Sequence, residues 1–213
     1  MGSVTDWRAW HRAYADPDSD LSRRRRSVQS RIEAWLDGRD ESSLRAVSAC
    51  SGNGRDLLEV LARRPDGHRV VARLVELDAT LAADAREFAT THGLAGIDVL
   101  EADAGRTASY AGAVPADLVM MCGVWGNVGD EDVRASIAVL RELCAAEATV
   151  IWTRGRFTAG DLTPAIRGWL AEEGFEEVAF DAPTDTTYRV GTHRWNGVPR
   201  PLGPERTFFR FVR

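Results

Sequence analysis

The residues best suited to chemistry in this chain lie in a turn of small side chains. An apolar run at 47–50 stops at Ser51-Gly52-Asn53-Gly54, and a pattern with helical spacing follows. Glycine lets the backbone approach a ligand closely, and the first turn of a helix presents free N–H groups to it. The turn predicts either a binding site at Gly52, Asn53 and Gly54 or a tight turn without a ligand.

Two carboxylates end the apolar runs that follow. Glu76 ends the second run and Asp103 ends the third. A charged carboxylate after the second strand of such a sheet can accept hydrogen bonds from both hydroxyls of a ribose. Asp103 could accept a hydrogen bond from an exocyclic amine such as adenine N6. Each acid also has a simpler interpretation as a helix cap, for which Asp78 is the better candidate beside Glu76.

A third group of residues follows the fourth apolar run, in "MMCGVWGN". Cys122, Gly123, Val124 and Trp125 can place apolar surface against a flat ring, or they can belong to the core.

The elements that would position these residues alternate along the chain. Short apolar runs are separated by segments with helical spacing, which is typical of a parallel sheet covered by helices on both faces. The five runs span 44–50, 69–76, 97–103, 116–123 and 148–154. We therefore expect an α/β fold, with the candidate residues at the carboxyl ends of successive strands.

Both ends of the chain differ from this pattern. At 1–40, aromatic residues with helical spacing predict two helices that form a cap or lid over a domain at 41–213. At the other end, 175–182 and 206–213 resemble two strands of an antiparallel pair. The segment 182–205 between them contains four prolines and is predicted to be a long loop.

In this order, the motifs resemble those of class I methyltransferases that depend on S-adenosylmethionine. "VSACSGNGRD" is similar to the glycine motif of that family, "LVELD" to its ribose-binding acid, "LEADA" to its adenine-contact acid and "PADLVMMCGVWGNV" to its motif after the fourth strand. The resemblance covers about residues 40–213. It implies a Rossmann-like sheet of seven strands in the order 3-2-1-4-5-7-6, with the last strand antiparallel.

The resemblance also implies which residues bind the cofactor S-adenosylmethionine. They are Cys50, Gly52, Asn53, Gly54, Glu76, Leu77, Asp103, Ala104 and Cys122. The positions at which the family usually has an acid and a glycine hold Ser48 and Cys50. We therefore expect arginines or polar groups of the N-terminal extension to bind the amino-acid end of the cofactor. One arginine of "SRRRR" at 22–26 is a candidate, while the others form a solvated helix face.

The implied reaction is transfer of a methyl group by in-line displacement, in which the protein mainly aligns the reactants and excludes water. A general base is needed only if the nucleophile arrives protonated. The first candidate is His193, in the loop expected before the last strand. Tyr14, on the first predicted helix, could orient a substrate. Neither residue belongs to a motif, and for His193 a surface position is the simpler interpretation.

Composition limits the class of protein. The net charge is −5, and the three cysteines form no C-x-x-C pair, so we expect no nucleic-acid partner and no metal site. No apolar segment has the length of a membrane span. We expect a cytoplasmic enzyme with a small-molecule substrate. The alternatives are a nicotinamide-dependent oxidoreductase, whose full G-x-G-x-x-G turn is missing, and a non-catalytic binder of an adenosyl ligand.

Overall fold

The structure, a computed structural model, describes residues 16–155 and 160–212. A sheet of seven strands forms its centre, in the order β3-β2-β1-β4-β5-β7-β6. The strands are β1 Leu44–Ala49, β2 Val70–Glu76, β3 Ile97–Glu101, β4 Ala116–Met121, β5 Cys144–Gly155, β6 Phe175–Asp181 and β7 Tyr188–Trp195. The α-helices of the described residues are α1 Asp20–Asp37, α2 Arg55–Arg63, α3 Ala79–Thr91, α4 Asp130–Leu143 and α5 Thr163–Glu172.

The first five strands are parallel, and β7 runs antiparallel between β5 and β6. Parallel neighbours need crossover connections, which the helices supply on both faces of the sheet. The fold class expected from the sequence, with its strand order, is therefore confirmed. All carboxyl ends of β1 to β5 meet at one edge, which we call the carboxyl edge.

Two apolar clusters cover the two faces of the sheet. On one face α1 and α2 pack on the strands through buried side chains that include Val28, Ile32 and Leu58. On the other face α4 and α5 pack through a second set that includes Ile137 and Ile166. The helix α1 thus belongs to the core of the sheet. Residues 1–15, which include the first predicted helix of the cap, lie outside the described residues.

The expected position of the last strand is wrong. The strand β7 is Tyr188–Trp195, inside the segment predicted to be a long loop, and 206–213 forms no strand in its described part. Every residue of β7 except Arg194 is buried, because the strand lies between two others and is covered on both faces. A strand of this kind shows no alternation of apolar and polar residues, and that alternation is the sequence signal of a half-buried strand.

The segment after β7 crosses the carboxyl edge instead of joining the sheet. We call residues 205–212 the strap. Between β3 and β4 the chain forms only a short 3-10 helix, Thr107–Tyr110, where an α/β fold usually has a crossover helix. The buried strap residues Phe208 and Phe209 belong to the apolar cluster next to this segment. The strap therefore supplies the cover that a longer crossover helix would give.

None of the helices in the described part of the chain is long and apolar enough to cross a membrane.

Candidate functional site

The glycine turn after β1 adopts the conformation that a ligand-binding turn requires. Cys50, Gly52 and Gly54 all have left-handed backbone angles, with φ of 50°, 57° and 72°. Gly54 then caps the start of α2, and a Cβ atom on it would lie 2.6 Å from a methyl group of Leu74. The turn thus needs glycine at 54 for both its angle and its packing, and it directs the N-terminus of α2 toward the carboxyl edge.

Glu76 connects this turn to the end of β2. Its Oε2 accepts a hydrogen bond from the Gly52 N–H at 2.7 Å, and its Oε1 accepts one from the Asp78 N–H at 2.9 Å. The side chain is buried. Leu77, which follows, is exposed, and Asp78 caps α3 by accepting from the N–H groups of Thr80 and Leu81. The acid and the cap are therefore two different residues, as the sequence allowed.

Asp103 lies at the end of β3, beside the strap. Its Oδ1 accepts a hydrogen bond from the Gly105 N–H at 2.8 Å. Ala104 is buried, and its carbonyl oxygen accepts a bond from the Tyr110 hydroxyl. Burial raises the pKa of the Cys50 thiol, and the negative charges of Glu76 and Asp103 raise it further. Both carboxylates therefore lie close to Cys50. The structure thus brings the three predicted regions together.

The loop after β4 completes this edge. Cys122 is buried, and Gly123 has a φ of 79°. The Gly123 N–H donates to the Thr153 hydroxyl oxygen at 2.8 Å, and the Asn127 amide donates to the Gly123 carbonyl oxygen at 2.7 Å. These bonds fix the loop at the centre of the carboxyl edge, between the glycine turn and β5.

Arg24 reaches this loop from α1. It is buried, its Nη1 donates to the Thr153 hydroxyl oxygen at 3.3 Å, and its Nη2 lies 3.5 Å from Asp56 Oδ2 on α2. Neighbouring arginines of the same segment form exposed or half-buried ion pairs, such as Arg23 with Asp185. The sequence made one of these arginines a candidate for an inward position, and packing on the sheet decides that it is Arg24.

The strap binds two of the loops that carry the candidate residues. The Phe208 N–H donates to the Gly105 carbonyl oxygen at 2.8 Å, and the Thr107 N–H donates to the Arg206 carbonyl oxygen at 3.0 Å. Further along, the Val212 N–H donates to the Asn127 carbonyl oxygen at 2.9 Å. No pattern in the sequence predicted this role of the strap. The aromatic residues of 206–213 indicated that this segment is buried, but they did not indicate which part of the protein it packs against.

The two candidate catalytic residues have different outcomes. Tyr14 lies outside the described residues. His193 lies in the middle of β7, opposite Val150, and not in a loop. It is 1% exposed, and its Nδ1 accepts a hydrogen bond from the Trp152 indole N–H at 3.2 Å. This placement corrects the expected position of His193, and it separates the imidazole from the carboxyl edge.

Burial lowers the pKa of His193 to about 4, although Glu177, 3.7 Å away, acts in the opposite direction. An unfolded histidine has a pKa near 6.5. Between these values the unfolded chain binds more protons than the native protein, so stability falls as the pH decreases from about 6.5 to about 4.

We expect the wild type to lose about 3 kcal/mol of unfolding free energy over this range through His193. The variant His193→Gln keeps an acceptor for Trp152 but does not titrate, so its stability should depend less on pH. Urea unfolding of both proteins at several pH values measures the difference, in which all other groups cancel. Equal pH slopes would contradict the assignment.

Among the described residues, no group of His, Cys, Asp and Glu side chains could hold a metal ion. The carboxyl edge instead collects a left-handed glycine turn, two carboxylates, an apolar loop and a buried arginine. This arrangement can bind a nucleoside with an attached charged tail, in the crevice where such sheets bind ligands.

No protein-family model matches the sequence. No curated protein matches it either. Solved structures, in contrast, match most of the chain. A magnesium protoporphyrin IX methyltransferase from Synechocystis PCC 6803 with bound S-adenosylmethionine is 15% identical, with a TM-score of 0.70 over 90% of this chain and 92% of that one.

Two more neighbours show the range of proteins with this fold. A TehB-like S-adenosylmethionine-dependent methyltransferase from Corynebacterium glutamicum is 13% identical, with a TM-score of 0.61 over 88% of this chain and 95% of that one. The [4+2]-cyclase SpnF is 12% identical, with a TM-score of 0.58 over 82% of each chain. The chain therefore has the fold of class I S-adenosylmethionine-dependent methyltransferases, a fold that also occurs in a protein named for another reaction.

Proposed function

We propose that this protein transfers a methyl group from S-adenosylmethionine to a small-molecule acceptor. The observation that supports this most is the bond from the Gly52 N–H to Glu76, together with Asp103 at the end of the next strand. The bond joins the glycine turn, which would lie against the cofactor, to Glu76, which would bind the ribose of the cofactor. The sequence motifs and the shared fold point to the same ligand.

The roles of the remaining residues follow from their positions along the carboxyl edge. Glu76 would accept bonds from the ribose hydroxyls, and Asp103 would accept one from the adenine amine. Leu77, which is exposed at the end of β2, and Ala104 would flank the adenine ring. Cys50, Gly52, Asn53 and Gly54 would make room for the ribose and the sulfur, and Cys122 would contribute apolar surface.

Arg24 would bind the carboxylate of the methionine end. The family usually has an acid and a glycine near this end, where Ser48 and Cys50 stand here, and the buried guanidinium of Arg24 lies close to Gly123. A planar guanidinium suits a carboxylate because it can donate two parallel hydrogen bonds. Its present partners, Thr153 and Asp56, would hold it in position.

This role predicts a selective effect of Arg24→Gln. The affinity for S-adenosylhomocysteine should fall roughly 10–100-fold, the usual effect of losing a hydrogen bond between charged groups. The affinity for 5′-methylthioadenosine, which lacks the amino-acid end, should change much less. Calorimetric titration of both ligands separates the two effects. A similar loss for both ligands would show that Arg24 acts only by supporting the fold.

The chemistry requires little of the protein beyond alignment. Bound S-adenosylmethionine supplies a methyl group on a sulfonium, whose leaving group departs neutral. The residues of the carboxyl edge would hold this group against the loop after β4 and exclude water, and such positioning contributes about 7–11 kcal/mol in comparable intramolecular reactions. We assign no general base, because His193 is sealed inside the sheet.

The test is calorimetric binding of S-adenosylmethionine, S-adenosylhomocysteine and NADH to the purified protein. We expect the first two to bind and NADH not to bind. Binding of NADH alone would favour the oxidoreductase and overturn the proposal. If the adenosyl ligands bind, transfer of a radiolabelled methyl group to acceptors from a cell extract then distinguishes the enzyme from a non-catalytic binder.

A further inference from the structure

A pair of arginines lies at the carboxyl edge where β5 and β7 meet. The two strands are antiparallel, and Arg154 pairs with Arg189. Residues opposite each other in such a pair project from the same face, with Cβ atoms about 4.5–5.5 Å apart. Both side chains are more than nine-tenths buried. Like charges in this position are destabilising, so the pair calls for an explanation other than stability.

The two arginines differ in their partners. Arg154 donates to the Trp125 carbonyl oxygen, and its Nη2 lies 3.8 Å from Asp130 Oδ1. Arg189 donates from Nη1 to the Tyr188 carbonyl oxygen at 2.7 Å. Across residues 16–155 and 160–212, it has no carboxylate within ion-pair distance.

The carboxylate of Asp161 interacts electrostatically with both Arg154 and Arg189. Its pKa is lowered: burial acts to raise it, but bonds from Thr163 and the charges of Arg189 and Arg154 outweigh that effect. Asp161 is exposed and accepts a hydrogen bond from the Thr163 N–H at 3.0 Å. No ion pair joins Asp161 to Arg189 among the described residues, and the guanidinium of Arg189 bonds to the Tyr188 carbonyl oxygen.

The arginine pair lies beside the loop after β4, where the methyl acceptor would bind. The strands follow one another as β1, β4, β5 and β7, so the pair lies on the other side of β4 from the glycine turn. Neighbouring strands are about 4.8 Å apart, which places β7 roughly 10 Å from β4. The bond from Arg154 to Trp125 puts the pair against the loop after β4. A small acceptor held beside that loop would extend to Arg189.

We propose that Arg189 binds an anionic group of the methyl acceptor, a carboxylate or a phosphate, an inference that rests on the proposed function. A guanidinium matches either group through two parallel hydrogen bonds. An anion there would also offset the repulsion between Arg189 and Arg154, alongside the exposed carboxylates of Asp130 and Asp161.

The test compares small probes of equal shape on the protein saturated with S-adenosylhomocysteine. Benzoate and phenyl phosphate carry the two anionic groups, and benzamide is the uncharged counterpart of benzoate. We expect at least one anion to bind roughly tenfold or more tightly than benzamide, the effect of one charge-assisted pair. Which anion binds better identifies the group. Equal affinity for all three probes would overturn the proposal.

Three variants assign the effect to Arg189. Arg189→Gln should lose the preference for the anion, and Arg189→Lys should keep part of it. Arg194→Gln, at an exposed arginine on the other face of β7, is the matched control and should behave as wild type. If Arg189→Gln retains the preference, the proposal is wrong.

Thermal melting distinguishes anion binding from a structural role of Arg189, because a structural role predicts that Arg189→Gln lowers the melting temperature. Since Arg189→Gln removes a buried like-charge pair, we expect it to melt at or above the temperature of wild type. A large fall in melting temperature with an unchanged preference for anions would assign Arg189 to the core. If S-adenosylhomocysteine does not bind wild type, that result contradicts the proposed function alone. Titration of the ligand-free protein with the same three probes still measures whether Arg189 prefers an anion.

Discussion

Replacing Glu76 with glutamine should lower the affinity for S-adenosylhomocysteine by roughly 100-fold or more. The carboxylate accepts bonds from the N–H groups of Gly52 and Asp78, one on each oxygen. Glutamine offers a single acceptor oxygen, so its NH₂ group would face one of these donors. The change also weakens any bond to the ribose hydroxyls, and each charged hydrogen bond contributes about 1.5–3 kcal/mol. Calorimetry measures the affinity directly.

Glu101 provides a matched control for this variant. It is the register partner of Glu76 on the neighbouring strand, but it is exposed. Glu101→Gln therefore makes the same chemical change at the same level of the sheet, and it should bind the ligand as wild type does. Equal losses in both variants would indicate a general effect of charge, and no loss in Glu76→Gln would place the ribose elsewhere.

Replacing Gly105 with alanine should disturb the adenine side of the site through the strap. A Cβ atom at this position would overlap the Phe209 carbonyl oxygen and lie 3.1 Å from Asp103 Oδ1. Either the strap or the loop that carries Asp103 must therefore move. We expect the affinity for S-adenosylhomocysteine to fall roughly 10–100-fold, the range for one lost bond to a charged group.

The specific readout is discrimination between adenine and hypoxanthine. S-inosylhomocysteine lacks the amine that Asp103 would bind, so wild type should prefer S-adenosylhomocysteine and Gly105→Ala should lose most of that preference. Gly168→Ala is the control, since Gly168 is exposed on α5 and a Cβ there meets nothing within 4 Å. A variant Gly105→Ala that binds more weakly but keeps the full preference would show that the strap does not position Asp103.

The sequence by itself determined the parallel part of the fold and the order of the candidate residues. Alternation of apolar runs and helical spacing is a local property, and each acid stands directly after a run. Once such runs form a parallel sheet, Glu76 and Asp103 must reach the same edge, because all carboxyl ends of parallel strands lie there. The positions of the glycine turn and of both acids therefore needed no tertiary information.

Only the tertiary structure decided which segment forms β7 and which one becomes the strap. Both faces of β7 are covered, so Arg189 and His193 are buried in it. Their cross-strand neighbours on β5, Arg154 and Val150, lie far away in sequence. The segment 206–213 has the stronger local preference for a strand, with its aromatic and branched residues. The preference was overridden because β7 pairs with β5 along its whole length and with β6 from Val190 to Trp195.

Tertiary packing also determines which arginines are buried at the carboxyl edge. Arg24 is one of several similar residues in the first described helix, and only the contact of α1 with the sheet shows which of them is buried near Gly123. Arg189 and Arg154 are far apart in sequence, and the antiparallel register alone makes them neighbours. Charge contacts of this kind depend on three-dimensional pairing, which no local pattern of residues encodes.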